Sequence, residues 1–143
     1  MSVFVDTNVL VYARDPDHAQ KQGQALAWMG HLWASGEGRI SAQVLNEYYV
    51  TVTRRLTPGL SHDEARADVE DLLAWDPQPV DTHLIQQAFE ITDSAQLSHW
   101  DSLIVASAQR VGCEYLLTED LNDGQLIGGV RVISPFTAEP GTL

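Results

Sequence analysis

The apolar triplet Val3-Phe4-Val5 is separated from the apolar run Val9 to Ala13 by only Asp6, Thr7 and Asn8. A strand with no polar member is buried on both faces, the condition of a strand inside a parallel sheet. Asn8 to Ala13 then reads as a short helix that ends near Asp15-Pro16. In a chain of 143 residues, a buried strand passing directly into a helix points to one α/β domain with a mostly parallel sheet.

The rest of the chain repeats this alternation. A helix is expected from about Asp17 to Ala34, with Leu26, Met29, Leu32 and Trp33 at helical spacing. Gly36 and Gly38 mark a loop, and Arg39-Ile40-Ser41 is a short strand candidate. The next helix carries Val44, Leu45, Tyr48, Tyr49 and Val52 on one face and ends at Thr57-Pro58-Gly59. Ser61 and Glu64 have the spacing of a capping box for a helix reaching about Trp75. Val80, after Pro77 and Pro79, is read as a brief strand. A helix follows over roughly 83–94, and Ser98 caps another that Gly112 closes. Glu114 to Thr118 and Val130 to Ile133 read as the last strands. The tail from Thr137 reads as loose, which gives a domain over residues 1–136 with 137–143 outside it.

Composition excludes some classes. The chain is 44% hydrophobic and 20% charged, ordinary for a globular domain. No apolar run approaches the roughly 20 residues of a membrane helix, and no basic segment precedes the first apolar residues as a secretory signal requires. Cys113 is the only cysteine, which excludes an intrachain disulfide, fits a reducing cytoplasmic compartment and reads as a buried inert thiol. Net charge is −12, and Lys21 is the only lysine. A nucleic-acid partner held by electrostatics alone asks for a basic surface. Something other than side-chain cations must then help hold the phosphates; the simpler reading of the charge is solubility.

Four carboxylates stand in informative places. Asp6 follows the first strand, where open parallel sheets build their binding crevices; it also has the type and position of a helix cap. The Thr7 hydroxyl is a further candidate to serve the helix start. Asp101 falls within the apolar face of its helix, near Val105 and Ala108. A buried carboxylate there needs a partner, and Ser98-x-x-Asp101 has capping-box spacing, so both readings stand. Glu47 lies at the edge of its helix's apolar stripe, with Val50 and Thr51 where a basic partner would be. Asp120 follows an apolar β-like run as Asp6 does, in a loop that also offers Thr118, Glu119 and Asp123. Polar turns favour such residues on their own account. If the four acids converge, the charge must be compensated, because two carboxylates about 4 Å apart repel by about 4 kcal/mol at an effective dielectric near 20. Divalent metal is the natural counter-charge, and all-oxygen ligands favour Mg²⁺ or Mn²⁺.

Other constellations are weak. The five histidines have no metal-ligand spacing and read as surface or cap residues, and no phosphate-binding glycine loop or nucleophile elbow occurs. Trp28, Trp33, Trp75 and Trp100 read as core or interface rather than base-stacking platforms.

The segments VFVDTNVLVYA, SAQVLNEYY, LSHWDSLIVASA, YLLTEDLNDGQ and VRVISPF occur in the order and spacing of PIN-domain ribonucleases, and the chain resembles in particular the VapC-like toxins of prokaryotic toxin–antitoxin pairs. The resemblance implies a three-layer α/β/α sandwich around a parallel sheet. It implies metal-dependent cleavage of single-stranded or loop RNA, with the metal held by Asp6, Glu47, Asp101 and Asp120. Asn8 matches a polar residue that supports the first aspartate, and Thr118 a hydroxyl beside the fourth acid. The fourth position varies in the family, and Asp123 competes with Asp120 for it. A homodimer is implied, together with an antitoxin whose C-terminal segment crosses the active site. The expected mechanism is hydrolysis by metal-activated water, with Asp6 and Asp101 as principal ligands and Arg14, Lys21 and Arg39 guiding the strand. RNA affinity should be modest and selective for one structured site.

Two other classes compete. An aspartyl-phosphate hydrolase or a phospho-receiver also begins with an aspartate after its first strand. The hydrolase usually needs a second aspartate where this chain has Asn8, and both need a late lysine, which is lacking. A binding module that kept the fold without activity is the other alternative.

Overall fold

The computed structural model describes residues 1–143. The elements run β1 (Val3–Val5), α1 (Thr7–Tyr12), α2 (Ala19–Ser35), β2 (Gly38–Arg39), α3 (Ala42–Arg54), α4 (His62–Leu72), α5 (Thr82–Ala95), α6 (His99–Arg110), β3 (Tyr115–Leu117), β4 (Leu126–Ile127) and β5 (Val130–Ile133). Single 3₁₀ turns sit at Pro16–His18 and Leu73–Trp75. The sheet order is β2-β1-β3-β5-β4. Every neighbouring pair is parallel except β4 with β5. The expected α/β fold with a mostly parallel sheet flanked by helices is met.

The order of strands positions the site. From β1 the chain goes to β2 on one side and later to β3 on the other, so the switch point of the sheet lies between β1 and β3. There Val5 is in register with Leu117, and the next residues are Asp6 and Thr118. Crevices at the carboxyl ends of strands form at such points. The strands earn their central place by being apolar throughout: Phe4, Val5, Leu116 and Leu117 are fully buried.

The helices follow from their apolar spacing and caps. Ser41, Ser61, Asp81 and Ser98 cap α3, α4, α5 and α6 through side-chain acceptors, and Ser61 with Glu64 completes the capping box. On α2 the buried residues are Ala25, Trp28, Met29 and Leu32. Leu26 and Trp33, expected on that face, are instead about half exposed. The stripe that turns inward runs through Ala25 and Trp28 in their place, beside Met29 and Leu32.

Gly38 in β2 admits no side chain. A Cβ there would lie 2.3 Å from the Trp75 ring, and Trp75 is itself buried and tilted against Trp33 with centroids 5.1 Å apart. Gly38→Ala is therefore expected to cost about 1–3 kcal/mol through overpacking, read as a lower urea midpoint with unchanged slope.

Three local expectations give way. Val80 is not in a strand; the pairing is made two residues earlier, by Gln78 bridging Ser41, and Val80 is exposed. The strand expected at 39–41 is Gly38–Arg39, with Ser41 turned to that bridge. β4 is an added antiparallel edge, joined to β5 through Gly128 and Gly129, both at positive φ, which is the hairpin use of glycine. The tail from Thr137 is partly held. The Thr137 hydroxyl donates to Asp123 at 2.7 Å, and the Ala138 carbonyl accepts from Trp28 Nε1 at 3.0 Å.

Candidate active site

Asp6 begins the site because β1 ends there. Its carboxylate is buried and caps α1 by accepting the Thr7 backbone N–H at 2.7 Å. The second oxygen accepts the Thr118 hydroxyl at 2.8 Å. The cap and crevice readings of Asp6 thus coexist in one side chain. Burial pushes this carboxyl up to about 7, against the lowering by Thr118 and Thr7, and the charges of Asp120 and Glu47 raise it further.

Thr118 is the hub. Besides donating to Asp6, its oxygen accepts Asn8 Nδ2 at 3.0 Å and the Asp120 backbone N–H at 3.1 Å. Asn8 Nδ2 also reaches Asp120 at 3.2 Å and Asp6 at 3.4 Å, while its Oδ1 accepts the Glu119 backbone N–H at 3.2 Å. The ends of β1 and β3 are stitched together by an amide and a hydroxyl, which add no charge to a crowded anionic site.

Glu47 comes from α3 and reaches the site through neutral donors. The Thr7 hydroxyl donates to it at 2.7 Å, and Gln43 Nε2 at 3.0 Å. The Thr7 hydroxyl therefore serves Glu47, not the helix start, because Asp6 has already taken the cap. Gln43 also donates to the Trp100 carbonyl at 3.3 Å, and its Oε1 is buried without a donor. A polar residue one turn before an acid was the available sign of Gln43's role. Asp101 lies half-buried in the first turn of α6, where only one half of the capping box forms: its backbone N–H donates to Ser98 Oγ at 3.1 Å. Burial raises its carboxyl above the usual range, Ser98 opposes this, and Asp120 and Glu47 raise it again.

Asp6 and Asp101 each feel the charges of Asp120 and Glu47, and Glu47 and Asp120 line an open cleft of about 1140 Å³ whose walls also include Asn8, Gln43 and Trp100. None of the four acids enters any of the five ion pairs of the molecule. No three acidic, histidine or cysteine side chains lie close enough together to grip one ion directly. Asp123 is turned elsewhere: it accepts the Ser134 backbone N–H at 3.0 Å and the Thr137 hydroxyl, and so holds the C-terminal turn.

The cations expected to guide a strand are committed. Arg14 makes a two-pronged pair with Asp68 at 2.6 and 2.9 Å, and Tyr48 donates to the same carboxylate. Lys21 pairs with Glu119 at 2.5 Å and lies over the rings of Tyr12 and Phe136. Arg39 donates to the carbonyls of Gly36 and Gly38. His18, expected as an ordinary surface residue, pairs through Nδ1 with the buried Asp15 at 2.7 Å on the cleft wall. Trp28 and Trp75 are core residues as expected, but Trp100 is 64% exposed. Cys113 is buried, and burial pushes its thiol up to about 12, the state of an inert thiol.

The family model for the PIN domain matches residues 3–122. No curated protein matches the sequence. Three solved structures share the fold. VapBC2 from Rickettsia felis, bound to a DNA fragment from its promoter, has TM-score 0.61 and 16% identity over 94% of this chain and 98% of that one. VapC20 from Mycobacterium tuberculosis, a Sarcin-Ricin loop cleaving toxin, has TM-score 0.59 and 22% identity over 80% and 87%. DNA-bound VapBC from Salmonella typhimurium has TM-score 0.57 and 18% identity over 94% and 98%.

Proposed function

Since the chain belongs to the PIN-domain family, we propose that it is a metal-dependent endoribonuclease, the toxin of a VapBC-type toxin–antitoxin pair. The observation that carries this reading is Glu47 and Asp120 in the wall of one cleft, with Asp6 and Asp101 each coupled to both, and without a single cationic side chain among the partners of the four. Hydrolysis of an RNA phosphodiester is the reaction, and Mg²⁺, or Mn²⁺ in its place, is the cofactor.

The donor set fits such an ion. It is all oxygen, it is uncompensated, and its innermost member is pushed up to about 7, first by burial and further by the charges of Asp120 and Glu47. The acids are too far apart to form a closed cage, which suits Mg²⁺, an ion that keeps several waters when protein-bound. Asp6 and Asp101 would be the principal ligands, with Glu47 and Asp120 acting directly or through water. A metal held there would supply positive charge for an attacking water and for the phosphate oxygens. Thr118 and Asn8 hold Asp6 and Asp120 in fixed orientation, and Thr7 and Gln43 do the same for Glu47. None of the acids acts as a nucleophile.

The test is cleavage of an RNA panel in Mg²⁺, Mn²⁺ or EDTA by the wild type and Asp101→Asn. Cleavage should need the metal and the aspartate; activity that survives both losses sinks the mechanism. A silent PIN-fold binding module is the second reading, and no cleavage of any RNA in either metal would favour it over the nuclease. Thr118→Val keeps the shape of the side chain and removes the hub. It is expected to weaken Mg²⁺ binding by about 10–100-fold, measured by titration calorimetry, with the fold retained.

The proposed partner is an antitoxin whose C-terminal segment covers the catalytic cleft. A second, mostly apolar cleft of about 540 Å³, with the exposed Leu26 and Trp33 in its wall, gives a protein partner apolar surface to bury. A neighbouring small reading frame with a DNA-binding N-terminus would support this pairing. The proposed oligomer is a homodimer, to be read by sedimentation, and the proposed compartment is the cytoplasm. No helix is long and apolar enough to cross a membrane.

A further inference from the structure

The polar face of α3 carries Gln43, Glu47 and Thr51 at four-residue steps, Arg55 follows at the next step as the residue that caps the helix C-terminus, and all four line the cleft. Residues so spaced share one helix face, and the helical rise puts Arg55 about 12 Å beyond Glu47. Arg55 is exposed and outside every ion pair. It is the arginine of the cleft wall, whereas its neighbour Arg54 does not line the cleft. In a chain of net charge −12, an arginine with no carboxylate partner facing a cleft is a site for an anion from outside.

The same wall holds an aromatic surface beside the acids. Trp100 lines the cleft and is largely exposed. Its ring meets His99 edge-on with centroids 5.4 Å apart, and His99 is tilted against Phe89 at 5.8 Å. Its carbonyl is bound by Gln43, the first residue of the α3 series. An exposed tryptophan ties up with the start of the polar stripe, and a free guanidinium stands at its far end.

We propose that α3 is the track of the substrate strand: single-stranded RNA lies along Gln43, Glu47, Thr51 and Arg55, with Arg55 gripping a phosphate a few nucleotides from the scissile bond and Trp100 stacking a base. This rests on the ribonuclease reading and adds to it the direction of the strand and two binding residues. The arrangement also answers how an acidic protein holds RNA: one phosphate contact and one stacked base flank the reacting position, and affinity stays modest.

The test is binding of a fluorescein-labelled oligouridylate of about 12 nucleotides, by anisotropy from low to physiological salt, in an Asp101→Asn background with Mg²⁺. Adding Arg55→Gln should weaken binding and reduce the salt slope by about 0.7. Adding Arg54→Gln should change neither. Trp100→Ala should weaken binding roughly 5- to 100-fold with the slope unchanged, and Trp100→Phe should recover most of it. A slope that Arg55→Gln leaves at its starting value overturns the track. So does no binding of the oligouridylate, or an Arg55 effect seen only on a polyglutamate peptide, which would assign the arginine to an acidic protein segment. Cleavage by the wild type is scored separately. Cleavage with an Arg55-independent slope removes the track and leaves the nuclease; an Arg55-dependent slope without cleavage does the reverse.

Discussion

Asp6→Asn is expected to make the metal-free protein more stable at pH 8, by on the order of 4 kcal/mol, while ending RNA cleavage. The Asp6 carboxyl is raised from 3.8 to about 7, first of all by burial. Between those values the folded protein holds a proton that the unfolded chain has released. The stability from that proton is fully present below the unfolded value and is lost as pH rises through about 7. Asparagine carries no charge to desolvate, still accepts the Thr7 N–H, and loses only the charge-assisted bond from Thr118. In EDTA the difference in melting temperature between variant and wild type should therefore grow from pH 5 to pH 8, reaching on the order of 10 °C. Mg²⁺ should raise the wild-type midpoint and not the variant's. Cleavage should fall on the order of 10³-fold, since a metal contributes several kcal/mol of charge stabilisation. A difference that stays flat with pH would mean that the fold itself compensates the carboxylate and that no metal is called for.

Trp28→Ala is expected to cost about 3–5 kcal/mol. Trp28 is the largest fully buried side chain, and it binds the Ala138 carbonyl through Nε1 at 3.0 Å. Removing it empties the core face of α2 and releases the C-terminal turn in one step. Trp28→Phe separates the two effects: most of the packing stays, and the lost hydrogen bond costs about 1 kcal/mol. Urea unfolding should rank wild type, Phe and Ala in that order of stability. Protease cleavage after Phe136 should rise equally in both variants, because both lack the Nε1–H that anchors Ala138.

Where the chain's own periodicity sets structure, the sequence is easy to read. Phe4 and Leu116 announce central strands because nothing polar interrupts them, and Ser61 and Ser98 announce helix starts because a cap is a local device. Asp6, Glu47, Asp101 and Asp120 could be singled out because each is a carboxylate in apolar or strand-end company. What escaped depends on distant partners. Leu26 and Trp33 have core spacing, but the stripe that turns inward runs through Ala25, Trp28, Met29 and Leu32. Arg14, Lys21 and Arg39 are cations in a cation-poor chain, yet their partners are Asp68, Glu119 and loop carbonyls that no local pattern announces. β4 is two residues long and shows no periodicity; only the glycine pair at 128 and 129 hinted at a hairpin. Gln43 stands one turn before Glu47, which the sequence shows, but its second contact, the Trp100 carbonyl, is legible only once α3 is seen to lie beside the first turn of α6.

Thr118 binds Asp6 across 112 positions of sequence. On a ribosome the first acid is therefore released long before the strand that buries it, and domains form in the order their segments emerge. Until β3 docks against β1, Asp6 is a solvated carboxylate, and Thr118 has nothing to hold. Helices such as α2 and α3 can fold from local contacts while this distant pairing waits for the chain to close on itself. The nascent protein is thus inert by construction, and whatever its finished cleft does is deferred until the segment carrying Thr118 has been translated.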